Sequence, residues 1–275
     1  MSANDYLKEI LRKYDKNHTY NQYEENAFNS LKNMISEWFN NSGSVNSAYS
    51  YYYKPTMEVQ KSGSRAKGTA IKGSSDMDMF LSITDRNNED TLQNYYNEIY
   101  EFLKNKGYKV RKQNVSIGVQ YCGYDIDVVP AKKSNQSSYT KDWRSYADHW
   151  LWSNKKQQRT KTNIQKHIDV VKDNYLQNYV MLTKIWRNNH GLDFPSIYIE
   201  LMVYEALNKK RVYDLAEDFY YILSYIRDNI ENKKIVDPSN SQNIISDSLS
   251  TQEKASIKKA VIDSFAKQYW EQVIW

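Results

Sequence analysis

The chain has few of the residues that build disulfides, membrane spans or histidine metal sites. A single cysteine, Cys122, occurs among 275 residues, which excludes an internal disulfide and a cysteine-based zinc site; we expect a reducing, cytoplasmic setting. No apolar run reaches the roughly 20 residues of a membrane-spanning helix, and residues 1–5 have no signal-peptide character. Four histidines are far apart in sequence, without metal-ligand spacing: His18, His149, His167 and His190.

Length and charge set broad limits on the fold and on the ligand. A chain of 275 residues can form one large domain or two smaller ones, with ample core. The formal net charge is +5, and 25 tyrosines add aromatic surface. This balance suits a polyanion such as a nucleoside triphosphate, but it is a weak indication of binding to long nucleic acid. A membrane partner is not expected.

The most informative segment is a glycine-rich turn followed by two aspartates. Residues 63–69 read Gly-Ser-Arg-Ala-Lys-Gly-Thr, and residues 74–78 read Ser-Ser-Asp-Met-Asp. In a strand, Asp76 and Asp78 share one face, because successive side chains point to opposite faces, and Met77, Met79, Leu81 and Ile83 lie on the other face, which suits a core. Two such carboxylates repel unless a cation lies between them, and oxygen ligands suit Mg²⁺ or Mn²⁺. The alternative is a polar turn before an ordinary strand, but both motifs in one frame favour a phosphate and metal site.

A third carboxylate lies in a later strand-like segment. Residues 124–130 read Tyr-Asp-Ile-Asp-Val-Val-Pro, so Asp125 and Asp127 share a face. If this strand lies beside the strand of Asp76 and Asp78, three carboxylates meet, and such a cluster can hold two metal ions roughly 3.5–4 Å apart for an in-line phosphoryl displacement. We assign Asp127 to the metal, because it directly precedes an apolar run, and expect Asp125 to face solvent.

The hydrophobic pattern changes along the chain. Helices are predicted within residues 4–40 and from Asp90 to Lys106, and strands are predicted at 56–62, 76–84, 108–113, 115–121 and 124–130. The basic segment 131–162 is expected to be a solvated face. From residue 163 the pattern is helical, with helices at 195–207, 215–230 and 251–272 and a turn at 237–240.

These elements predict an α+β fold with two lobes. Residues 1–160 would form a catalytic lobe with a mixed β-sheet, and residues 161–275 an all-helical lobe. We expect the ligand in a cleft between them.

The motifs resemble those of the DNA polymerase beta-like nucleotidyltransferases. The resemblance lies with the branch that unites archaeal-type CCA-adding enzymes, oligoadenylate synthetases and bacterial cyclic-oligonucleotide synthases (CD-NTases). It covers about residues 56–245 and extends beyond the acidic motif. Three later segments match in family order: Leu-Thr-Lys-Ile-Trp at 182–186, Pro-Ser-Ile-Tyr-Ile-Glu-Leu at 195–201, and Asp237-Pro238 through Asn243.

The resemblance implies a role for each matching residue. Gly63 and Ser64 would bind the β- and γ-phosphates of a nucleotide, Asp76 and Asp78 would hold two Mg²⁺ or Mn²⁺ ions, and Asp127 would hold the ion that activates the attacking hydroxyl. Two residues of the helical lobe would also bind nucleotide: Lys184, through the triphosphate, and Tyr198, by stacking on a base. Read alone, Lys184 has the alternative of being a lysine that flanks the core, and an isolated helical tyrosine such as Tyr198 is more often a core residue. Lys67 and Arg65 could contact phosphates or be solvated loop charges.

The product is decided by exclusion. The chain has no room for the RNA-binding body of a CCA-adding enzyme, and its scattered lysines show no double-stranded RNA footprint, so RNA is not expected as a partner. A compact enzyme of this kind looks most like a CD-NTase, which makes a cyclic or short linear oligonucleotide from NTPs for antiphage defence, with a downstream effector; we expect a monomer. A terminal transferase acting on RNA 3′ ends and a non-catalytic nucleotide- or RNA-binding module remain as alternatives.

Overall fold

The structure, a computed structural model, describes residues 1–16, 21–41, 54–73, 76–85, 91–134, 147–173, 175–208 and 213–275. They form two compact units. The helical unit comprises Met1–Thr19, Lys67–Ser74 and Lys166–Trp275, and the sheet unit comprises Tyr20–Ala66 and Ser75–Gln165. The division expected after residue 160 differs from these units, because the first helix and the segment that follows the glycine-rich turn pack with the C-terminal helices.

Nine α-helices lie within the described residues: α1 (Ala3–Tyr14), α2 (Gln22–Asn41), α3 (Gly63–Lys67), α4 (Leu92–Asn105), α5 (Ile164–Lys172), α6 (Gln177–Asn189), α7 (Ser196–Leu207), α8 (Leu215–Asn229) and α9 (Thr251–Phe265). Several begin at a polar cap that binds otherwise unsatisfied backbone N–H groups. At α9, the Ser250 hydroxyl accepts from the backbone N–H of Glu253, while the Glu253 carboxylate accepts from the N–H of Ser250. Asp90, the expected start of α4, lies outside the described residues, as does His18.

The same residues contain nine strands: β1 (Thr56–Lys61), β2 (Met77–Thr84), β3 (Lys109–Lys112), β4 (Ile117–Tyr121), β5 (Tyr124–Lys133), β6 (His149–Ser153), β7 (Gln158–Thr162), β8 (Val236–Asp237) and β9 (Asn240–Ile244). The first seven form one sheet with the order β1-β2-β5-β4-β3, in which β6 also pairs with the last three residues of β5 and β7 pairs with β6. Only β2 and β5 are paired parallel among the described strands. The mixed sheet and the α+β class are therefore confirmed.

Each unit has its own core. In the sheet unit, Met77, Met79 and Leu81 of β2 pack with Leu31 of α2 and Tyr96 of α4, which confirms the apolar face predicted for β2. In the helical unit, the buried faces of α1 and α5–α9 form one continuous cluster. No helix in the described part of the chain combines the length and apolar character that a membrane crossing requires.

Two segments form β-strands that the sequence pattern did not predict. Residues 149–162, part of the segment 131–162 that was expected to be a solvated basic face, form the β6–β7 hairpin, in which His149, Leu151 and Ser153 are buried. Residues 131–133 of that segment belong to β5, and residues 135–146 lie outside the described residues. The helical lobe contains the small β8–β9 hairpin around the turn predicted at 237–240. Asp237 stabilises it by accepting hydrogen bonds from the backbone and hydroxyl of Ser239 and from the Asn243 amide.

Candidate active site

Two acidic residues of the predicted site lie side by side on adjacent parallel strands. Asp78 of β2 is paired in register with Asp127 of β5, so their side chains lie on the same face of the sheet. Asp76 directly precedes β2 and is exposed. The adjacency on which the three-carboxylate hypothesis depended is thus present. Ser74 and Ser75, which complete the motif, lie outside the described residues.

The glycine-rich turn lies directly against one of these carboxylates. Gly63, the first residue of α3, has a positive φ of 59°, a conformation that glycine adopts without steric cost. A Cβ at Gly63 would lie 1.8 Å from Oδ2 of Asp78, and the backbone N–H of Ser62 donates to the Asp78 carbonyl at 3.0 Å. Ser64 follows at the start of α3. The turn and the acidic strand therefore form one local arrangement within the sheet unit.

Asp127 lies in an environment that opposes its charge. Its Oδ1 is buried and has no hydrogen-bond partner among the described residues. Burial and then the nearby charge of Asp76 raise the pKa of Asp127, while Arg111 acts in the opposite direction. A buried carboxylate oxygen is costly unless it is paired or coordinates a cation. A cation beside this oxygen would offset the cost of burying it.

The donor chemistry fits a hard divalent cation. Asp76, Asp78 and Asp127 offer carboxylate oxygens, the ligands that Mg²⁺ and Mn²⁺ prefer. Because Gly63 has no side chain, nothing at that position collides with the Asp78 carboxylate. Within the described residues, however, no three acidic, histidine or cysteine side chains already converge as a complete metal-ligand group. Carboxylates that share a site repel one another without a cation, and the assembly of the three aspartates around a metal stays a prediction.

Lys184 lies in a buried ionic cluster of the helical unit. Its ammonium donates to the Thr69 carbonyl at 3.2 Å and to the Thr69 hydroxyl at 3.0 Å, and lies 3.7 Å from a Glu200 oxygen. Lys67 donates to the other oxygen of Glu200 at 2.7 Å. Lys184 is 3% exposed and Glu200 2%. The ammonium group of Lys184 is thus engaged with Thr69 and Glu200 inside the helical unit.

The two remaining loop cations are engaged within the protein rather than solvated. Lys67 is buried against Glu200, as described above. Arg65 forms an ion pair with Glu24 of α2, inside the sheet unit. Both ion pairs fix the glycine-rich turn to neighbouring helices, so neither Lys67 nor Arg65 is the solvated loop charge that we considered.

Tyr198 does not present its ring to a base in this structure. Its side chain is completely buried in the core of the helical unit, edge-on to Phe194 at a ring-centroid distance of 6.1 Å. Its hydroxyl has no hydrogen-bond partner among the described residues, and burial raises the pKa of Tyr198 to about 12. The stacking role carried over from the family is not supported, because tertiary packing has closed both faces of the ring.

A protein-family comparison decides the identity of the fold. The family described as SMODS, the Second Messenger Oligonucleotide or Dinucleotide Synthetase domain, matches residues 1–167, more than half of the chain. The chain belongs to the SMODS family. None of the curated protein sequences that were compared is significantly similar to it.

Several solved structures share the fold of this chain at low sequence identity. Escherichia coli MS115-1 CdnC, in a complex with HORMA-deltaN, is 19% identical with a TM-score of 0.70, covering 98% of this chain and 96% of its own. Vibrio cholerae DncV, a cyclic AMP-GMP synthase solved with the linear intermediate pppA(3′,5′)pG, is 12% identical with a TM-score of 0.66, covering 94% and 89%. Elizabethkingia meningoseptica CdnE, a cyclic dinucleotide synthase solved with GTP and Apcpp, is 15% identical with a TM-score of 0.64, covering 88% and 92%.

These findings confirm the CD-NTase branch of the polymerase beta-like superfamily. This SMODS protein is a nucleotidyltransferase that synthesises an oligonucleotide second messenger. The assignment excludes the non-catalytic module that the sequence had left open.

Sequence reasoning missed three residues that the structure places in contact with the predicted ones: Glu200, Glu24 and Arg111. Glu200 lies two residues after Tyr198 in the same family motif and was passed over as part of a helix. Glu24 lies on α2, far from Arg65 in sequence, and no local pattern could pair them. Arg111 is on the edge strand β3 and lies 3.7 Å from Asp125, which is exposed as expected. A glycine inside the alternating pattern of β4, Gly118, was the available signal for Arg111.

Proposed function

We propose that this SMODS protein joins nucleoside triphosphates through the carboxylates Asp76, Asp78 and Asp127. A ribose hydroxyl of one nucleotide attacks the α-phosphorus of another. The new O–P bond forms, the bond to the β-phosphate oxygen breaks, pyrophosphate leaves, and the hydroxyl proton passes to solvent. The observation that supports this reaction at this place is the in-register pairing of Asp78 with Asp127 beside the Gly63 turn.

Each residue then has a defined task. Gly63 lets the backbone approach Asp78 closely, and the N–H and hydroxyl of Ser64 bind the β- and γ-phosphates of the donor nucleotide. Asp127, on the far side of Asp78 from the turn, orients the attacking hydroxyl. Lys184 contributes positive charge to the triphosphate by exchanging a Thr69 or Glu200 contact for a phosphate oxygen.

The three aspartates would hold Mg²⁺ or Mn²⁺, with two ions in the complete site. Such ions supply charge neutralisation at the attacking and leaving oxygens of phosphoryl transfer. The observation that favours a cation is the buried, unpartnered oxygen of Asp127.

The product we propose is a short oligonucleotide, cyclic or linear, made without an RNA acceptor and read by a downstream effector in antiphage defence. ATP and GTP are candidate substrates, since CdnC has been solved with ATP and DncV with ATP and GTP. The single cysteine supports a reducing, cytoplasmic setting, and we expect the catalytic form to be a monomer.

Incubation with labelled NTPs and Mg²⁺ or Mn²⁺, followed by separation of products by mass, tests this function. We expect pyrophosphate and an oligonucleotide of a few residues, formed without a primer. A requirement for an RNA 3′ end would instead establish the terminal-transferase reading. Thermal denaturation with Mg²⁺ and a non-hydrolysable NTP adds a binding test, because a ligand that binds only the native state raises the melting temperature. Lys184→Ala should reduce that rise.

A further inference from the structure

Four residues occupy one line across the sheet, from its centre to an edge. Asp78 of β2 is paired with Asp127 of β5, Asp127 with Gly118 of β4, and Gly118 with Arg111 of β3. Residues directly opposite one another on neighbouring strands point to the same face of a sheet. The side chain of Arg111 therefore lies on the same face as the two aspartates, two strands from Asp127.

Gly118 leaves the space through which Arg111 reaches inward. A Cβ at Gly118 would lie 2.6 Å from Nε and 2.8 Å from Cγ of Arg111, so the arginine lies across the position where any other residue would have a side chain. Gly118 does not have the positive φ that favours glycine. A glycine is needed at position 118 because the side chain of Arg111 occupies the space that a Cβ would fill.

The guanidinium group at the end of the Arg111 side chain has only a weak ion pair. Its one ion pair in the described part of the chain is with Asp125 on β5, at 3.7 Å, beyond hydrogen-bond distance. The two side chains are 56% and 49% exposed, and ion pairs exposed to this extent contribute little to stability. An anion can thus take the guanidinium from Asp125 at small cost. Arginine suits this task because its planar donors match a phosphate group bidentately.

The order of Asp78, Asp127, Gly118 and Arg111 across the sheet indicates which nucleotide's phosphate Arg111 would bind. The Gly63 turn lies against Asp78, on the β1 side of the pair, and that is where we place the donor triphosphate. Arg111 lies on the opposite side of Asp127, toward β3. We propose that Arg111 binds a phosphate of the acceptor nucleotide, the one whose hydroxyl attacks. The absence of a side chain at Gly118 lets Arg111 reach that position. This role rests on the proposed function of the carboxylates.

The test removes the cation in one variant and displaces it in another. Arg111→Met abolishes the charge, whereas Gly118→Ala keeps the charge but occupies the space that the arginine crosses. Lys112→Met is the matched control: it removes a cation from the same strand, but Lys112 is on the opposite face, where it contacts Asn97 of α4. Melting temperatures are measured for all three, and Arg111→Lys tests how much of the function a point charge restores.

We expect Arg111→Met and Gly118→Ala each to lower kcat/KM for product formation about tenfold to hundredfold, the value of a hydrogen bond to a charged group. Lys112→Met should stay within about twofold of the unmodified protein and Arg111→Lys should be intermediate. Arg111→Met combined with Gly118→Ala should be no worse than either alone, because both remove the same contact. Affinity for a single non-hydrolysable NTP with Mg²⁺, which reports the donor site, should change little.

Two results would overturn the role. If Arg111→Met and Lys112→Met behave alike while the unmodified protein makes product, Arg111 has no part in the reaction. If the losses of Arg111→Met and Gly118→Ala multiply in the double variant, they act through separate structural effects. Failure of the unmodified protein to make any product would refute the proposed function itself, and the acceptor role with it, so the two failures are distinguishable.

Discussion

Gly63 and Asp78 are in such close contact that only a glycine fits. The position of a Cβ at Gly63 coincides with the Asp78 carboxylate, 1.8 Å from Oδ2. The turn that we assign to the triphosphate and the carboxylate that we assign to the metal therefore cannot move independently. A phosphate bound at the turn would lie next to the acidic strand, which is the proximity that phosphoryl transfer needs.

Gly63→Ala should abolish most activity. The added methyl group must displace Asp78, and misplacement of a catalytic group by about 1 Å can cost about a hundredfold in rate. Gly191→Ala is a matched control, since Gly191 has a φ of 61° against 59° at Gly63 and a Cβ there meets nothing within 4 Å. Both variants should lose about 1 kcal/mol from backbone strain. Equal activity of the two variants would contradict the assignment of the turn.

Replacing both Asp76 and Asp78 by alanine should eliminate product while the protein stays folded. These carboxylates repel one another without a cation, so their removal should leave the melting temperature unchanged or higher. Glu37→Ala with Glu101→Ala, which removes two exposed carboxylates of the sheet unit, should retain activity. A marked fall in the metal-free melting temperature would show that the two aspartates are structural.

Asp127→Asn should stabilise the metal-free protein near neutral pH by a few degrees. The pKa of Asp127 is raised by burial and by Asp76, so the folded protein retains a proton that the unfolded chain releases. Stability from this residue is therefore lost as pH rises from the ordinary aspartate range through the raised pKa. The variant should be free of that loss, and the two proteins should converge in acid. A lower melting temperature for Asp127→Asn at pH 7 would refute this account.

Lys67 and Glu200 should affect nucleotide binding in opposite directions. Lys67 holds Glu200 at 2.7 Å, whereas Lys184 is 3.7 Å from that carboxylate. Lys67→Met lets Glu200 turn wholly to Lys184 and should weaken NTP binding; Glu200→Gln removes the competing anion and should strengthen it, each by about threefold to tenfold. Titration calorimetry with a non-hydrolysable NTP measures both.

The equally buried pair Lys132–Asp85, also at 2.7 Å, provides the control for that experiment. Lys132→Met and Asp85→Asn break an ion pair of the same geometry elsewhere and should leave NTP affinity unchanged. If Lys67→Met and Glu200→Gln both weaken binding, the cluster serves only to stabilise the helical unit.

Product formation should be insensitive to added RNA and only weakly dependent on salt. A protein that grips six to ten phosphates loses about 10³–10⁵ in affinity between 50 and 200 mM salt, and the net charge of +5 offers no such grip. Initial rates across that range, with and without double-stranded RNA, measure the effect. Collapse at moderate salt together with RNA dependence would favour an RNA-sensing or RNA-modifying enzyme.

The acidic strand was predictable because its pattern is local. Alternation in β2 placed Met77, Met79 and Leu81 in the core and Asp78 on the other face, and all of them are found there. The pairing of β2 with β5 was a hypothesis, since nothing in either segment specifies its neighbour. The hairpin of β6 and β7 was missed, because its basic residues obscured the alternating burial of His149, Leu151 and Ser153.

The sequence by itself determined the chemistry available to this protein, through a glycine-rich turn, closely spaced aspartates and a single cysteine. These motifs also indicated the family. Such features depend on residue type and short spacing, which a linear chain retains. Tertiary structure alone decided that Asp127 lies beside Asp78, that Lys184 is buried with Glu200 and Tyr198 in the core, and that Arg111 passes over Gly118. Those relationships join residues distant in sequence, and burial and charge at each position depend on everything packed around it.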